Sequence, residues 1–114
     1  MVDLNRAIFL MLKKIAPVQL EFPDTKAKFP LITIKEISNT ENYSVEGVEY
    51  ISDITYQIDV WDNGADLQKC NELAGEVSKI MARNLFKRTL GRGFKDVSGL
   101  QRKMMYFTTK AMNI

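Results

Sequence analysis

The stretch from Tyr50 to Leu85 constrains the fold of this chain most strongly. Its first part, Ile51 to Trp61, alternates apolar and polar residues, which is typical of a β-strand with one buried face. The residues expected on that face are Ile54, Tyr56, Ile58 and Val60. A turn signal follows at 62–64, and apolar residues then recur at spacings of three and four, which predicts an amphipathic helix of about six turns. Its apolar stripe consists of Leu67, Cys70, Leu73, Ala74, Val77, Ile80, Met81 and Leu85. We expect Asp62 or Asn63 to cap this helix.

Three further elements are expected before this stretch. Asp3 to Ile15 places apolar side chains on one face of a first helix, with Asp3 as its expected cap. Residues 19–22 predict a short strand. Phe29 to Ile37 predicts a longer one, and because Ile37 falls out of phase with Ile32 and Ile34, an irregularity is expected near residues 35 and 36.

The remaining segments are interpreted as two loops and a final strand. Ser38 to Glu49 is polar and too long for a tight hairpin, so we expect a loop that is mobile in the free protein. Lys87 to Gly99 is rich in glycine and basic residues, with a short strand expected only at 94–97. Gln101 to Met112 predicts a strand with apolar residues on both faces, as in the centre of a sheet or beneath a second molecule. Together these elements predict one α+β domain, 1–114, with a largely antiparallel sheet, and with an N-terminal helix and one long central helix packed on one face.

The composition excludes several classes of catalytic and metal site. The 114 residues include no histidine and one cysteine, so Ser-His and Cys-His pairs, an internal disulfide and the usual zinc ligand sets cannot be assembled within one chain. Cys70 lies on the apolar stripe of the long helix and is expected to be a buried structural thiol. Asp59 and Asp62 are expected to be solvated, or to cap a helix, rather than to form a catalytic pair. We therefore expect no enzymatic activity, no cofactor and no metal.

The sequence also argues against a membrane protein. The longest purely apolar run is Ala7 to Leu12, which is far too short to span a bilayer. It lacks the flanking pattern of a signal peptide. We expect a cytoplasmic protein at synthesis, with no membrane partner.

Charge is distributed unevenly along the chain. Between Glu21 and Asp62 nine acidic residues stand against three lysines, a net charge of −6, whereas between Lys79 and Lys103 eight bases stand against one aspartate, a net charge of +7. Such a separation is compatible with solvated faces, with head-to-tail pairing between copies, or with contact to a polyanion. Aromatic residues are sparse near the basic segment, so any contact with nucleic acid is expected to follow the phosphate backbone without reading sequence.

The order of elements and three of its segments resemble a known family. The segments are Phe29 to Ile34 (FPLITI), which opens a strand, Tyr56 to Asp62 (YQIDVWD), which leads into the long helix, and Met104 to Thr108 (MMYFT) in the last strand. They resemble the small tail-completion, or tail-terminator, proteins of long-tailed bacteriophages and prophages, which include the head-tail joining proteins of the neck. The resemblance implies a structural virion protein without enzymatic activity. It also implies a ring, commonly a hexamer, that caps the tail tube and joins it to the head connector while double-stranded DNA passes through.

The resemblance, combined with the charge separation, suggests roles for particular residues. The bases expected to make subunit contacts or to line the ring lumen are Arg83, Lys87, Arg88, Arg92, Lys95, Arg102 and Lys103, and the acids expected to meet them on a neighbour are Glu46 and Glu49. A roughly round domain of this length would be about 35 Å across, and six such units in a ring enclose a hole of about that width. The family implies assembly in the bacterial host cytoplasm and then a place in the tail or neck of the virion. The alternative interpretation is a small non-catalytic nucleic-acid-binding or regulatory α+β domain that uses residues 79–103 directly.

Overall fold

The structure, a computed structural model, describes residues 2–112, and for Glu49 and Tyr50 it describes the backbone alone. In chain order the elements are α1 (Asn5–Leu12), β1 (Val18–Leu20), β2 (Leu31–Val45), β3 (Val48–Asp62), α2 (Gln68–Arg83), β4 (Lys87–Lys95) and β5 (Gln101–Met112). The strands form a five-stranded sheet in the order β1-β2-β3-β5-β4. Only the β1–β2 pair in this sheet is parallel. The expected α+β class with a mostly antiparallel sheet is therefore confirmed.

The core forms where the predicted apolar faces of strands and helices meet. Ile54, Tyr56, Ile58 and Val60 of β3 are all fully buried, as their alternation predicts. They share one cluster with Ile8 and Leu12 of α1, with Met105 and Phe107 of β5, and with the α2 residues Cys70, Leu73, Ala74, Val77 and Met81. Burying each large apolar side chain favours the folded state by about 1.5–3 kcal/mol, so this cluster holds the sheet and both helices together.

Helix α2 is shorter than its apolar stripe suggests. It has 16 residues and begins at Gln68, whose backbone N–H donates to Asp66 Oδ1 at 3.0 Å. The expected cap is wrong, because Asp62 is buried and its Oδ2 accepts from the backbone N–H of Gly64 at 3.1 Å. At the other end Leu85 takes a left-handed backbone conformation, with φ of 66°, and is 84% exposed. The helix therefore ends before Leu85.

The expected loop between Ser38 and Glu49 is wrong, because these residues extend a long β-hairpin. Strands β2 and β3 have 15 residues each and pair from Leu31 opposite Trp61 to Val45 opposite Val48. Positive φ angles at Glu46 and Gly47, 52° and 79°, form the two-residue turn typical of a tight hairpin. Polar residues suit this ribbon because most of its side chains from 41 to 48 are exposed. The irregularity expected near residues 35 and 36 is confirmed by a register shift between Glu36 and Ser38.

The hairpin also changes the expected shape of the protein. The radius of gyration is 15.0 Å, and the principal extents are 54 × 25 × 25 Å. The roughly round unit about 35 Å across that chain length suggests is therefore wrong. The elongation arises because β2 and β3 have 15 residues each, and their ribbon continues past Ile51, which lies opposite the last described residue of β5.

We expect backbone amides of the hairpin end, residues 41–48, to exchange with solvent orders of magnitude faster than those at 54–58 in the free protein. Residues 41–48 are the end of the β2–β3 hairpin and are mostly exposed, whereas 54–58 lie inside β3, with Ile54, Tyr56 and Ile58 buried in the core. Hydrogen exchange read by mass spectrometry or NMR measures the difference, with residues 54–58 as the internal control. Equal protection in the two segments would show that the end of the ribbon is held as firmly as the core. In the assembled protein we expect the backbone amides of residues 41–48 to exchange slowly.

The basic and glycine-rich segment is also more regular than expected. Residues 87–95 form β4, which pairs with β5 from Lys87 opposite Thr108 to Lys95 opposite Gln101, so the prediction of a loop with a short strand at 94–97 is wrong. A Cβ atom added to Gly93 would lie 3.0 Å from a methyl carbon of Leu67. This glycine therefore lets the segment before α2 approach the strand closely. Strand β5 has the predicted bounds and lies between β3 and β4, which explains its apolar residues on both faces.

Two ionisable groups in the core are held in their neutral forms. Burial, helped by the nearby Asp62 charge, raises the pKa of the Cys70 thiol to about 11. Burial, helped by the charges of Glu36 and Asp3, raises the pKa of Tyr56 to about 12. The Tyr56 hydroxyl donates to Asn5 Oδ1 at 2.6 Å, which ties β3 to α1. The prediction that Cys70 is a buried structural thiol is confirmed.

We expect the protein to lose stability as the pH rises above about 9. The pKa of the Cys70 thiol is raised from 9.0 to about 11, so between these values the unfolded chain releases a proton that the folded chain keeps. The free energy of unfolding therefore falls with rising pH in this window, and the full stability is present below it. Urea unfolding at about pH 8 and about pH 10.5 measures the effect. The midpoint of Cys70→Ala should fall less between these conditions than that of the unaltered protein, and equal falls would contradict the assignment to Cys70.

Candidate assembly surface

A buried ion pair lies on the sheet face opposite the apolar cluster. Arg102 of β5 donates to Asp59 Oδ2 through Nη2 at 2.6 Å and through Nε at 3.1 Å. Its Nη1 donates to Asp96 Oδ1 at 3.0 Å. The Nε2 of Gln57 donates to the same Asp59 oxygen at 2.9 Å. The side chains of Asp59 and Arg102 are 2% and 14% exposed, so both members of the pair are largely shielded from solvent.

Aromatic rings enclose the ion pair. The Arg102 guanidinium carbon lies 4.5 Å from the ring centre of Trp61 and 5.5 Å from that of Phe94. The Trp61 indole N–H donates to Thr33 Oγ1 at 2.8 Å, which ties β3 to β2. Phe22 meets the edge of Trp61 at 6.4 Å between ring centres. These contacts exclude water from the ion pair, and the attraction between the Asp59 and Arg102 charges is therefore stronger than it would be in solvent.

The ion pair gives Asp59 a structural role. Burial raises the pKa of the Asp59 carboxyl, and the hydrogen bonds from Gln57 and Arg102 together with the Arg102 charge oppose that rise. The expectation that Asp59 and Asp62 are solvated or cap a helix is wrong, because each is 2% exposed. Asp59 and Arg102 are far apart in the sequence, so no local sequence pattern predicts that they pair. One available signal is that Asp59 lies beside Trp61 in the longest predicted alternation.

The other basic residues predicted to act in assembly lie on different elements of the fold. Lys87, Arg88, Arg92 and Lys95 are exposed side chains of β4, an edge strand of the sheet. Arg88 Nη1 donates to Ser78 Oγ at 3.4 Å, and the Arg92 guanidinium lies 5.6 Å from the Phe94 ring centre. Arg83 lies in the last turn of α2, whereas Arg102 and Lys103 lie on the interior strand β5. The structure thus gathers four of the predicted bases into one row, which we call the basic edge.

The predicted acidic partners lie at the far end of the hairpin. Glu46 is exposed in the two-residue turn, and the side chain of Glu49 lies outside the described residues. Lys87 pairs with Thr108, which in turn lies opposite Thr55 of β3. From Thr55 to the turn the chain runs along β3 for about 23 Å at the usual strand rise. The basic edge and Glu46 are therefore not brought together within one copy.

A second surface lies at the other edge of the sheet. An open groove of about 300 Å³ separates α1 from β1, and apolar side chains dominate its lining. Two of the lining residues, Phe9 and Leu20, are 41% and 63% exposed. Strand β1 pairs with β2 over Ile32 to Ile34, and no other strand pairs with β2 on that side among the described residues. We call this region, made of α1, β1 and the outer side of β2, the apolar edge.

Two findings concern other classes of site. Within residues 2–112 no helix is both long and apolar enough to cross a membrane. The same part of the chain contains no cluster of His, Cys, Asp or Glu side chains arranged to hold a metal ion.

The family model for Tail completion protein gp17 matches residues 11–94, which are 84 of the 114 residues of the chain. The chain therefore belongs to this family of phage tail-completion proteins. The matched range includes β1, the whole hairpin, α2 and nearly all of β4. No curated protein sequence matches the chain significantly. The resemblance drawn from the sequence is confirmed, and the class of protein is a structural component of a phage tail.

Proposed function

We propose that this protein forms a hexameric ring that terminates the tail tube of a long-tailed phage or prophage and joins it to the head connector. Membership of the tail-completion family, over most of the chain, carries this proposal. The protein acts without catalysis, by contact with the tail-tube and connector proteins. It assembles in the host cytoplasm and then resides in the tail or neck of the virion.

The dimensions of the chain are compatible with a ring that passes DNA. Six units in contact enclose a central opening about as wide as one unit, and the two short extents are 25 Å each. With the long extent parallel to the ring axis, the opening is therefore about 25 Å before side chains project into it, which admits a DNA duplex. In this proposal residues 1–114 act as one domain, with α1 and the long central α2 packed on the same face of the sheet.

The basic residues take one of two roles in the proposed ring. Arg83, Lys103 and the basic edge either meet acids such as Glu46 and Glu49 of a neighbouring copy or face the lumen, where they contact passing phosphates without reading sequence. Arg102 differs from the others because Asp59 and Asp96 already engage its guanidinium. Its contribution to either role is to hold β3, β5 and the 96–99 turn in place.

We expect purified protein to cap isolated tail tubes at one ring per tube end. Negative-stain electron microscopy of tubes incubated with and without the protein measures the capped fraction, and quantitative gels of the purified caps measure the number of copies. Heat-unfolded protein is the control for non-specific adhesion. Bare tube ends at saturating protein concentration contradict the proposal.

The exposed row of bases on β4 favours one alternative function. In that alternative the monomer binds nucleic acid directly, as a small non-catalytic or regulatory domain, through residues 79–103. Such binding weakens steeply with salt, because each phosphate contact releases counterions. Fluorescence anisotropy of labelled duplex DNA with the monomer, measured across a salt series, distinguishes the two: strong salt-sensitive binding by the monomer supports the alternative.

A further inference from the structure

Leu85 combines two unfavourable features at the point where α2 gives way to β4. Its backbone is left-handed, with φ of 66°, a conformation that is more costly for leucine than for glycine. Thr109 Oγ1 donates to the Leu85 carbonyl at 2.9 Å, which fixes the turn. The Leu85 side chain is 84% exposed, so packing against the described residues does not explain why a leucine stands here. A bulky, exposed residue in this backbone conformation points to a contact outside the chain.

Basic side chains surround Leu85. An open cleft of about 400 Å³ lies beside it, and exposed Lys87 and Lys110 belong to the lining of this cleft. Arg83, also exposed, precedes Leu85 by two residues in the last turn of α2. The acid in the cleft lining, Asp53, already accepts a hydrogen bond from an asparagine side chain at 2.7 Å. We call Arg83, Leu85, Lys87 and Lys110 the Leu85 corner, because they form an apolar centre among three bases.

The hairpin end, residues 41–48, has the complementary properties. Residues 36–68 include eight acidic residues and no lysine or arginine, and Glu41 and Glu46 are exposed at the hairpin end. Val45 pairs directly with Val48, so the two side chains share one side of the ribbon, where they are 43% and 53% exposed. A two-stranded ribbon is only marginally stable alone, and exposed apolar side chains on one of its sides suit it to packing against another surface.

The two surfaces do not meet within one copy. Thr109, which holds Leu85, lies opposite Ile54, and the hairpin turn lies roughly 20 Å farther along β3. Lys110 lies opposite Asp53, which also precedes the hairpin end in the ribbon. A second copy is therefore needed to bring the acids and valines of a hairpin end to a Leu85 corner.

The leucine distinguishes this occupant from nucleic acid. Phosphates are held by lysine and arginine through the release of counterions, and they gain nothing from an apolar side chain. The combination of Leu85 with three bases instead complements an acidic protein surface that exposes apolar side chains. The hairpin end is such a surface, and every copy of this chain carries one.

We propose that the hairpin end of one copy docks at the Leu85 corner of the next copy, with the two valines against Leu85 and the two glutamates facing the bases. This inference names the subunit contact of the ring and rests on the proposed function above. Lys87 belongs to both the corner and the basic edge, so the contact begins at that edge. It is heterologous, since different surfaces of the two copies meet, and repetition of such a contact closes a ring.

The length of the hairpin suits this contact. The short extents place neighbouring copies about 25 Å apart, and the hairpin turn lies roughly 20 Å from the level of Leu85 along the strands. The hairpin end spans most of that interval when the long extent is inclined to the ring axis. Inclined copies take up more of the circumference than upright ones, so the opening is then wider than 25 Å and still admits DNA.

The competing explanation is that Leu85 is a solitary exposed residue and that the hairpin acids are only solvated. Single apolar residues on a protein surface are common and need no partner. The two explanations predict the same stability but different association for a variant in which glycine relieves the backbone.

The substitution Leu85→Gly tests the contact at its centre. Glycine adopts the left-handed conformation more readily, so we expect the thermal midpoint of the free protein to rise by about 2–5 °C. Self-association should nevertheless become about tenfold weaker or more, because the apolar centre of the contact is lost. Sedimentation velocity measures association, and Val97→Gly is the control, since Val97 is also exposed but lies at the other end of β4. Unchanged association of Leu85→Gly overturns the proposal.

A charge swap tests the rim of the contact. The first variant carries Arg83→Glu and Lys87→Glu, and the second carries Glu41→Lys and Glu46→Lys. Each alone brings like charges together at every contact, so we expect self-association about thirty-fold weaker than that of the unaltered protein. An equimolar mixture has opposite charges at every contact between unlike copies and should recover association to within about three-fold. Failure of the mixture to recover overturns the proposal.

Disulfide trapping decides the case if the unaltered protein sediments as a monomer at its highest soluble concentration. A chain with Val45→Cys and Leu85→Cys should form a ladder of cross-linked copies on oxidation, whereas the pair Val45→Cys and Val97→Cys should not. The native Cys70 is fully buried and does not interfere. The absence of the ladder, or equal ladders from the two pairs, overturns the contact.

The outcome is separable from that of the proposed function. Mixtures that regain self-association but cap no tail tubes would overturn the tail-terminating role and leave the contact standing. Tube capping by the unaltered protein without recovery or cross-linking would overturn the contact and leave the role standing. If Leu85→Gly weakens tube capping but not self-association, the tail-tube protein and not a second copy occupies the Leu85 corner.

Discussion

Replacing Arg102 with alanine should lower the free energy of unfolding by about 3–5 kcal/mol, because the Asp59 carboxylate is then left buried without its cationic partner. Asp59 is 2% exposed, and its Oδ1 has no hydrogen-bond partner among the described residues. The substitution also removes the guanidinium from its place beside Trp61 and Phe94. Urea or thermal unfolding followed by circular dichroism measures the loss. The loss should shrink at acid pH, since a protonated carboxyl needs no cation beside it.

The matched control for this prediction is Arg92→Ala. Arg92 also lies over Phe94, at 5.6 Å, but its side chain is exposed, so its removal should cost less than about 1 kcal/mol. The double substitution Arg102→Met with Asp59→Leu replaces the ion pair by apolar groups and should recover most of the stability. Equal effects of Arg102→Ala and Arg92→Ala would show that the buried pair contributes little.

Local patterns in the sequence predict those parts of the fold in which burial follows chain periodicity. The alternation from Ile54 to Val60 specifies the buried face of β3, and the spacing of Cys70, Leu73 and Val77 specifies the buried side of α2. Both are interior to their elements, where one face meets the core throughout. The ends of α2 are harder to predict, because the helix begins after Asp66 and ends before the left-handed Leu85, inside the limits of the apolar stripe.

Strand pairing explains what the local patterns miss. The outer half of the hairpin and most of β4 have polar or glycine-rich sequences, and their strand conformation depends on backbone bonds to a neighbour rather than on a buried face. The Arg102–Asp59 contact likewise joins residues of different strands. In the charged segments the sequence predicts the separation of charge, but only the sheet topology shows that four of the bases form one open edge.

Reversing Arg88, Arg92 and Lys95 together in the phage should reduce infectious particles by orders of magnitude, whereas each single reversal should have a mild effect. An exposed ion pair is worth only about 0–1 kcal/mol, but three reversed pairs act at every contact of the proposed ring, so the penalty for a hexamer reaches up to about 18 kcal/mol. Assembly should also weaken with added salt, because exposed charges are screened over about 8 Å at physiological ionic strength. Capped tails, counted by electron microscopy, and plaque-forming particles are scored independently, with Lys69→Glu plus Glu76→Lys as the control.

The two readouts assign the basic edge to one role. If these bases join neighbouring copies, capped tails and infectious particles fall together, because no stable ring forms. If they line the lumen, capped tails persist while infectious particles fall, since DNA then meets acidic groups where it previously met bases. Normal values of both would contradict each role and leave Arg88, Arg92 and Lys95 as a solvated edge, whose charge serves only to keep strand β4 from pairing with other sheets.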